Sequence, residues 1–125
     1  IPHHVPLTKE MEKVLIRLRE FNTGEKYIFL PLRQSRYAFM DPESPNNYLR
    51  NLGYKGRQTA HGWRHVARTA GVDICKCESD VIKRQMGHLP DNKVDKAYDK
   101  SLRLDDRRKY LQQWTELLVA TGLEV

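Results

Sequence analysis

Helical hydrophobic periodicity that repeatedly runs into a glycine is what most limits how this chain can fold. Met11, Val14, Leu15 and Leu18 fall at i, i+3, i+4 and i+7, one stripe of a helix opened by Thr8 and closed by Asn22-Thr23-Gly24. Ser44-Pro45 opens a short helix through Leu52, with Gly53 as its stop. Between His61 and Ala70 two sets share the helical period. Trp63, Val66, Ala67 and Ala70 form an apolar face, while His61, Arg64, His65 and Arg68 form a basic one. Gly71 is read as the end of that helix. Ser79 caps another, carrying Val81, Ile82, Gln85 and Met86 up to Gly87. Asp91 or Asn92 opens a segment with Val94, Ala97 and Tyr98. A last helix, from about Leu102 to Thr121, is expected to bury Leu104, Leu111, Trp114 and Leu118 before Gly122. Val5-Pro6-Leu7 reads as the end of a strand, the apolar run Tyr27 to Leu30 as a strand or extended segment, and Arg33 to Pro42 as loop. The predicted class is mainly α, with a short β-strand or hairpin remnant.

A chain of 125 residues suits one domain with a modest core. Its 39% hydrophobic and 30% charged content places it among globular rather than disordered chains. No apolar run approaches the roughly 20 residues that span a bilayer, so no membrane partner is expected. The start, Ile1-Pro2-His3-His4, has no signal-peptide layout and no initiator Met, so a piece of a longer protein is expected. Cys75 and Cys77 are too few for a disulfide framework. They read as reduced thiols near a loop, which fits a cytoplasmic setting. A net charge of +6 favours a polyanionic partner, and nucleic acid is the natural one.

The ordered set His61, Arg64, His88 and Tyr98 places two imidazoles, a guanidinium and a phenol within 38 residues. Two of these groups can bind an anion, two can move protons and one can act as a nucleophile. That inventory suits chemistry on a phosphodiester. Arg64 can hold two phosphate oxygens at once and stays charged at any working pH. His61, one turn earlier on the same face, makes the pair a clamp for a phosphate whose charge grows in the transition state. His88 can equally be a solvated histidine at a helix C-terminus. Spacing alone does not select Tyr98 from the six tyrosines. His61 and His65 stand at a zinc-chelating spacing. The run His-Gly-Trp-Arg-His lacks the glutamate of a zinc hydrolase, and Arg64 and Arg68 repel a dication, so no metal is expected.

The order of these residues resembles a family. His4-Val-Pro-Leu-Thr8, Leu52-Gly-Tyr-Lys-Gly56, Thr59-Ala-His-Gly-Trp-Arg64, Val81-Ile-Lys-Arg-Gln-Met-Gly-His88, Asn92-Lys-Val-Asp-Lys-Ala-Tyr98 and Arg107-Arg-Lys-Tyr-Leu-Gln-Gln-Trp114 are similar to segments of the tyrosine recombinases, specifically the P4-type phage integrases. Six segments in one order cover nearly the whole chain. The resemblance implies that residues 1–125 are the distal, helical part of an integrase catalytic domain. On this reading the arm-binding and core-binding regions and the first part of the catalytic domain lie outside the chain.

It also implies roles. Tyr98 is the nucleophile that attacks a DNA phosphodiester and forms a 3′-phosphotyrosyl intermediate, before strand transfer completes integration or excision. His61, Arg64 and His88 complete the catalytic set present here. His65, Arg68, Arg57 and Lys55 are candidate DNA contacts. The resemblance implies no cofactor, double-stranded attachment-site DNA as partner, a tetramer of the full-length protein on DNA, and a bacterial cytoplasmic, nucleoid-associated setting. The family set also contains an earlier arginine and a hairpin lysine, both upstream of the His-Val-Pro-Leu segment. The alternative is a catalytically incomplete DNA-binding module from a degenerate integrase.

Overall fold

The computed structural model describes residues 3–22, 24, 26–31, 33–88 and 102–125. Among them are five α-helices: α1 (Lys9–Phe21), α2 (Ser44–Leu49), α3 (Ala60–Asp73), α4 (Ser79–Gln85) and α5 (Leu104–Ala120). A π-helical turn, Arg50–Tyr54, continues α2. The segment expected to open at Asp91 or Asn92 lies outside the described residues. The chain divides into two compact units, Ile1–Lys9 with Val66–Glu124 and Glu10–His65 with Val125.

In the first unit the core forms where α4 and α5 meet the C-terminal half of α3. Val81, Ile82, Tyr110, Leu111 and Ala70 are buried there. Full burial of side chains such as Val81 and Ile82 contributes about 1.5–3 kcal/mol each. Gly71 was expected to end the third helix, yet α3 continues to Asp73. A Cβ at Gly71 would stand 2.8 Å from both Ile82 Cδ1 and Tyr110 Cε2. Glycine is therefore there for close approach between helices, not as a stop.

The buried face of α5 also differs from the periodicity reading. Leu111 is buried as expected, but Leu104 is exposed and Trp114 and Leu118 are half-buried. Arg107, Tyr110 and Thr115 are buried instead. A buried guanidinium is tolerable only with its donors satisfied. Arg107 donates from Nε to Gln85 Oε1 at 2.9 Å, from Nη1 to the Leu102 carbonyl at 3.2 Å and from Nη2 to the His4 carbonyl. Burial and the neighbouring Arg84 charge lower its pKa.

These bonds explain why Val5 to Leu7 is not a strand. Arg107 takes the His4 carbonyl and Arg108 Nη1 takes that of Leu7 at 3.1 Å. Thr8, just before α1, lies with its hydroxyl 3.5 Å from that of Thr115. Residues 3–8 are thus fastened to α5 by side chains, and no ladder forms.

Tyr110 gives the unit a pH dependence. Its buried hydroxyl donates to the Ala67 carbonyl at 2.9 Å. Burial, with smaller contributions from Cys75 and Cys77, pushes its pKa to about 12. The neutral phenol is favoured in the folded state, so its stabilising contribution is complete below the unfolded value of about 10. It is lost as pH rises from there through about 12. The denaturant midpoint of the chain should therefore fall between pH 9 and pH 11.5 in circular-dichroism titrations, by more than it does in Tyr110→Phe. Equal slopes in both proteins would contradict this.

In the second unit, α1 carries the predicted stripe but buries none of it. Met11, Leu15 and Leu18 are half-buried and Val14 is exposed. Tyr27 to Leu30 is irregular rather than a strand. Asn22 Nδ2 donates to the Tyr27 and Ile28 carbonyls at 2.7 and 2.6 Å, which takes acceptors a ladder would need. A backbone bond, Met40 N–H to the Phe29 carbonyl at 3.0 Å, folds the following loop back. It brings the Tyr27 and Phe39 rings to 5.3 Å. Glu43, not Ser44, holds the N-cap position of α2, and Pro45 lies in the first turn as expected. The helical path runs on into the π turn and breaks at Gly53, whose φ of 90° and ψ of 10° are not helical, at the place the sequence marks as its stop.

Candidate active site

The start of α3 is built by side chains from two earlier segments. The Thr59 hydroxyl accepts the Gly62 N–H at 2.9 Å, and Asn46 Oδ1 from α2 accepts the Ala60 N–H at 2.8 Å. Gln58 Oε1 accepts the Thr59 N–H at 2.9 Å. Two of the N–H groups that a helix start leaves without a backbone partner are thereby capped by side chains. Gly62 is part of this arrangement, because a Cβ there would stand 2.0 Å from Gln58 Oε1.

His61 and Arg64 follow at once, one turn apart on α3. His61 is exposed and Arg64 half-buried. The positive end of the helix dipole adds to the guanidinium, so the local field favours an anion. The His61 and His65 rings meet edge to face, with centroids 5.0 Å apart and an interplanar angle of 82°. His65 and Arg68 are exposed. The basic face predicted for this helix is thus present on it. Its apolar face is only partly covered: Ala70 is buried, whereas Trp63 and Val66 are exposed.

Lys55 and Arg57 lie on the turn between Tyr54 and α3, in the same unit as His61 and Arg64. Both are exposed, and Arg57 stacks its guanidinium over the Tyr54 ring at 5.6 Å. Two basic side chains thus stand a few residues before the helix that carries His61.

His88 belongs to the other unit. It follows α4, whose end is closed by two bonds: Gly87 N–H to the Arg84 carbonyl at 3.0 Å and His88 N–H to the Lys83 carbonyl at 2.9 Å. This pairing is a Schellman motif, and it needs a residue with positive φ at its penultimate position. Gly87 supplies it with φ 71°. An alanine at this place would strain the turn that seats His88.

Tyr98 lies outside the described residues. Of the described tyrosines, Tyr110 is ruled out as a nucleophile by burial, by its bond to Ala67 and by a pKa near 12. Asn46, Thr59 and Gln58 were missed in the sequence reading. Thr59 carried a usable signal, since it directly precedes the helical period. Asn46 carried none, because it acts across 14 positions.

Cys75 and Cys77 are free, half-buried thiols after α3. Burial raises both pKa values. Among the described residues no group of three or more His, Cys, Asp or Glu is placed to hold a metal ion. No described helix is long and apolar enough to cross a membrane.

Over 118 residues, 94% of its length, the chain is 31% identical to prophage integrase IntA of Escherichia coli K12. It is 33% identical over 119 residues to the integrase of Enterobacteria phage P4, and 30% identical over 121 residues to E. coli prophage integrase IntZ. The match spans 28%, 27% and 28% of these three relatives, little more than a quarter of their length. No protein-family model and no solved structure matches the chain. Along nearly all of its own length, the chain is thus similar to phage and prophage integrases, the integrase of phage P4 among them.

Proposed function

We propose that this chain is the distal part of the catalytic domain of a tyrosine-type, site-specific DNA recombinase. The observation that carries the reading is the likeness to phage and prophage integrases along nearly the whole chain. The helix start that sets His61 and Arg64 one turn apart on α3 supports it.

In this reading the Tyr98 hydroxyl attacks the scissile phosphate. A 3′-phosphotyrosyl bond forms as the phosphorus–oxygen bond to the next nucleotide breaks, and a 5′-hydroxyl leaves with a proton. A 5′-hydroxyl from a second strand then reverses the exchange, so the bond energy is conserved. Arg64 neutralises charge that grows on the phosphoryl oxygens. His61 and His88 donate hydrogen bonds or move the proton. A free tyrosine has a pKa of about 10, so it needs this electrostatic help near neutral pH. His65, Arg68, Arg57 and Lys55 hold the DNA backbone. The protein works as a tetramer on double-stranded attachment sites, in the bacterial cytoplasm at the nucleoid, and uses no cofactor.

The test is a nicked suicide substrate carrying attachment-site DNA, incubated with the full-length integrase. A denaturation-resistant protein–DNA adduct with a free 5′-hydroxyl on the released strand is expected. Cleavage that leaves no protein on the DNA would overturn the reading.

Binding by the 125-residue chain should be steeply salt-dependent. Four phosphate contacts, from Lys55, Arg57, Arg64 and Arg68, give a log–log slope of about −3.6 and a loss of about 150-fold between 50 and 200 mM salt. Arg57→Ala should flatten that slope by about one. Fluorescence anisotropy reads both, and a salt-independent affinity would contradict the assignment of these contacts.

A further inference from the structure

The loop between α1 and α2 has no part in the reaction just described, yet it is not composed like an ordinary connection. Between positions 26 and 40 stand three cations, Lys26, Arg33 and Arg36, with Tyr27, Tyr37 and Phe39, and no Asp or Glu. All of them lie in one compact unit. The rings gather: the Phe39 centroid is 5.3 Å from that of Tyr27 and 6.4 Å from that of Tyr37, with interplanar angles of 48° and 38°. Cations border the group on both sides. Lys26 Nζ lies 5.4 Å from the Tyr27 centroid, and the Arg36 guanidinium lies over the Tyr37 ring at 5.0 Å.

The backbone beneath the rings is fastened. Ser35 Oγ accepts the Tyr37 N–H at 3.1 Å, and Met40 N–H bonds the Phe29 carbonyl at 3.0 Å. Arg36 Nη2 donates to the Tyr37 hydroxyl at 3.0 Å, which orients the exposed ring. Tyr27 is half-buried, whereas Tyr37 is 51% and Phe39 43% exposed. The next carboxylate, Asp41, is engaged at the start of α2, where its Oδ1 accepts the Glu43 N–H at 2.8 Å.

Exposed rings set among cations suit a ligand that offers flat π-faces and negative charge in alternation. Unpaired nucleotides offer both. A duplex hides its base faces in the stack and presents phosphates and base edges. An acidic peptide engages the cations and leaves the rings in water, and an apolar helix covers the rings at the cost of desolvating the cations. We infer that this loop is a binding site for single-stranded DNA. Unpaired bases stack on Tyr37 and Phe39, and Lys26, Arg33 and Arg36 take the phosphates between them. The site does not depend on the role of Tyr98. In the strand-transfer reading its ligand is the cleaved strand, which leaves its complement before it joins a second one.

The test uses the full-length integrase with an oligothymidylate of about 12 nucleotides, a length such stacking surfaces accommodate, and the attachment-site duplex as reference. One thymine is replaced by 5-iodouracil, which on irradiation crosslinks to an aromatic ring stacked on it. Mass spectrometry should place the crosslink on Tyr37 or Phe39. Tyr37→Ala should weaken oligothymidylate binding about 5- to 150-fold and leave duplex affinity within about twofold. Tyr37→Phe keeps the ring face and should bind like wild type. Tyr37→Leu keeps apolar bulk without the face and should bind like the alanine variant. Arg36→Ala should flatten the log–log salt slope on the single strand by about 0.7. The crosslink is read on wild-type protein, so it decides the matter even where a variant folds poorly. Absent oligothymidylate binding, a crosslink only outside residues 26–40, or equal losses on single strand and duplex would overturn the inference. So would wild-type affinity in Tyr37→Ala or in Tyr37→Leu, the latter marking an apolar contact with another part of the protein. If no adduct forms through Tyr98 but the crosslink falls on Tyr37, the functional reading fails and this site stands.

Discussion

Tyr98→Phe in the full-length integrase should abolish covalent attachment to DNA, lowering the cleavage rate by roughly 10⁴-fold or more, the scale on which loss of a nucleophile is felt. The substitution removes one oxygen and keeps the ring. Attachment-site affinity should stay within a few-fold of wild type, because the backbone contacts assigned to Lys55, Arg57 and Arg68 are untouched. The two readouts separate loss of chemistry from loss of folding or of binding. An adduct at the wild-type rate would remove Tyr98 from the mechanism.

Arg64→Ala should produce the second-largest effect. Removing one preorganised donor from a developing oxyanion typically slows the step by about 10²–10³-fold, or roughly 3–4 kcal/mol in the barrier. The half-buried setting of Arg64 at the start of α3 favours the upper part of that range, since the helix end and the guanidinium act on the same charge. Arg64→Lys keeps the charge but loses the two-pronged contact, so it should recover only part of the loss. DNA affinity should fall far less than the cleavage rate, because the contact strengthens as the transition state forms. Single-turnover cleavage at saturating DNA checks this. An unchanged rate constant for Arg64→Ala would place the guanidinium away from the phosphate.

Much of the helical layout was legible because local rules decide it. The stripe at Met11, Val14, Leu15 and Leu18 falls in α1, and Gly87 and Gly122 terminate α4 and α5 in the left-handed conformation that glycine adopts freely. The errors share a cause, which is contact between residues far apart in sequence. Gly71 has the same local look as a stop, but its absent side chain makes room for Ile82 and Tyr110. The buried face of α5 turned toward Arg107 because carbonyls at His4 and Leu102 accept its protons, and no periodicity reveals such partners. The expected strands lost their carbonyls to side chains, Asn22 in one segment and the two arginines of α5 in the other.

The candidate site was legible to a different depth at each residue. His61 and Arg64 share one helix, so their spacing sufficed. The Asn46 bond that braces that helix start comes from α2, and spacing said nothing about it. Tyr98 was selected by resemblance alone, since a phenol carries no local pattern that separates a nucleophile from a packed side chain.

The central claim is that this chain supplies the tyrosine that becomes joined to DNA. The adduct formed by the full-length integrase on the nicked suicide substrate can be digested with protease and nuclease, and the modified residue located by tandem mass spectrometry. The account predicts a nucleotide-bearing peptide with the added mass on Tyr98. The same mass on another tyrosine, or on a serine, would contradict it.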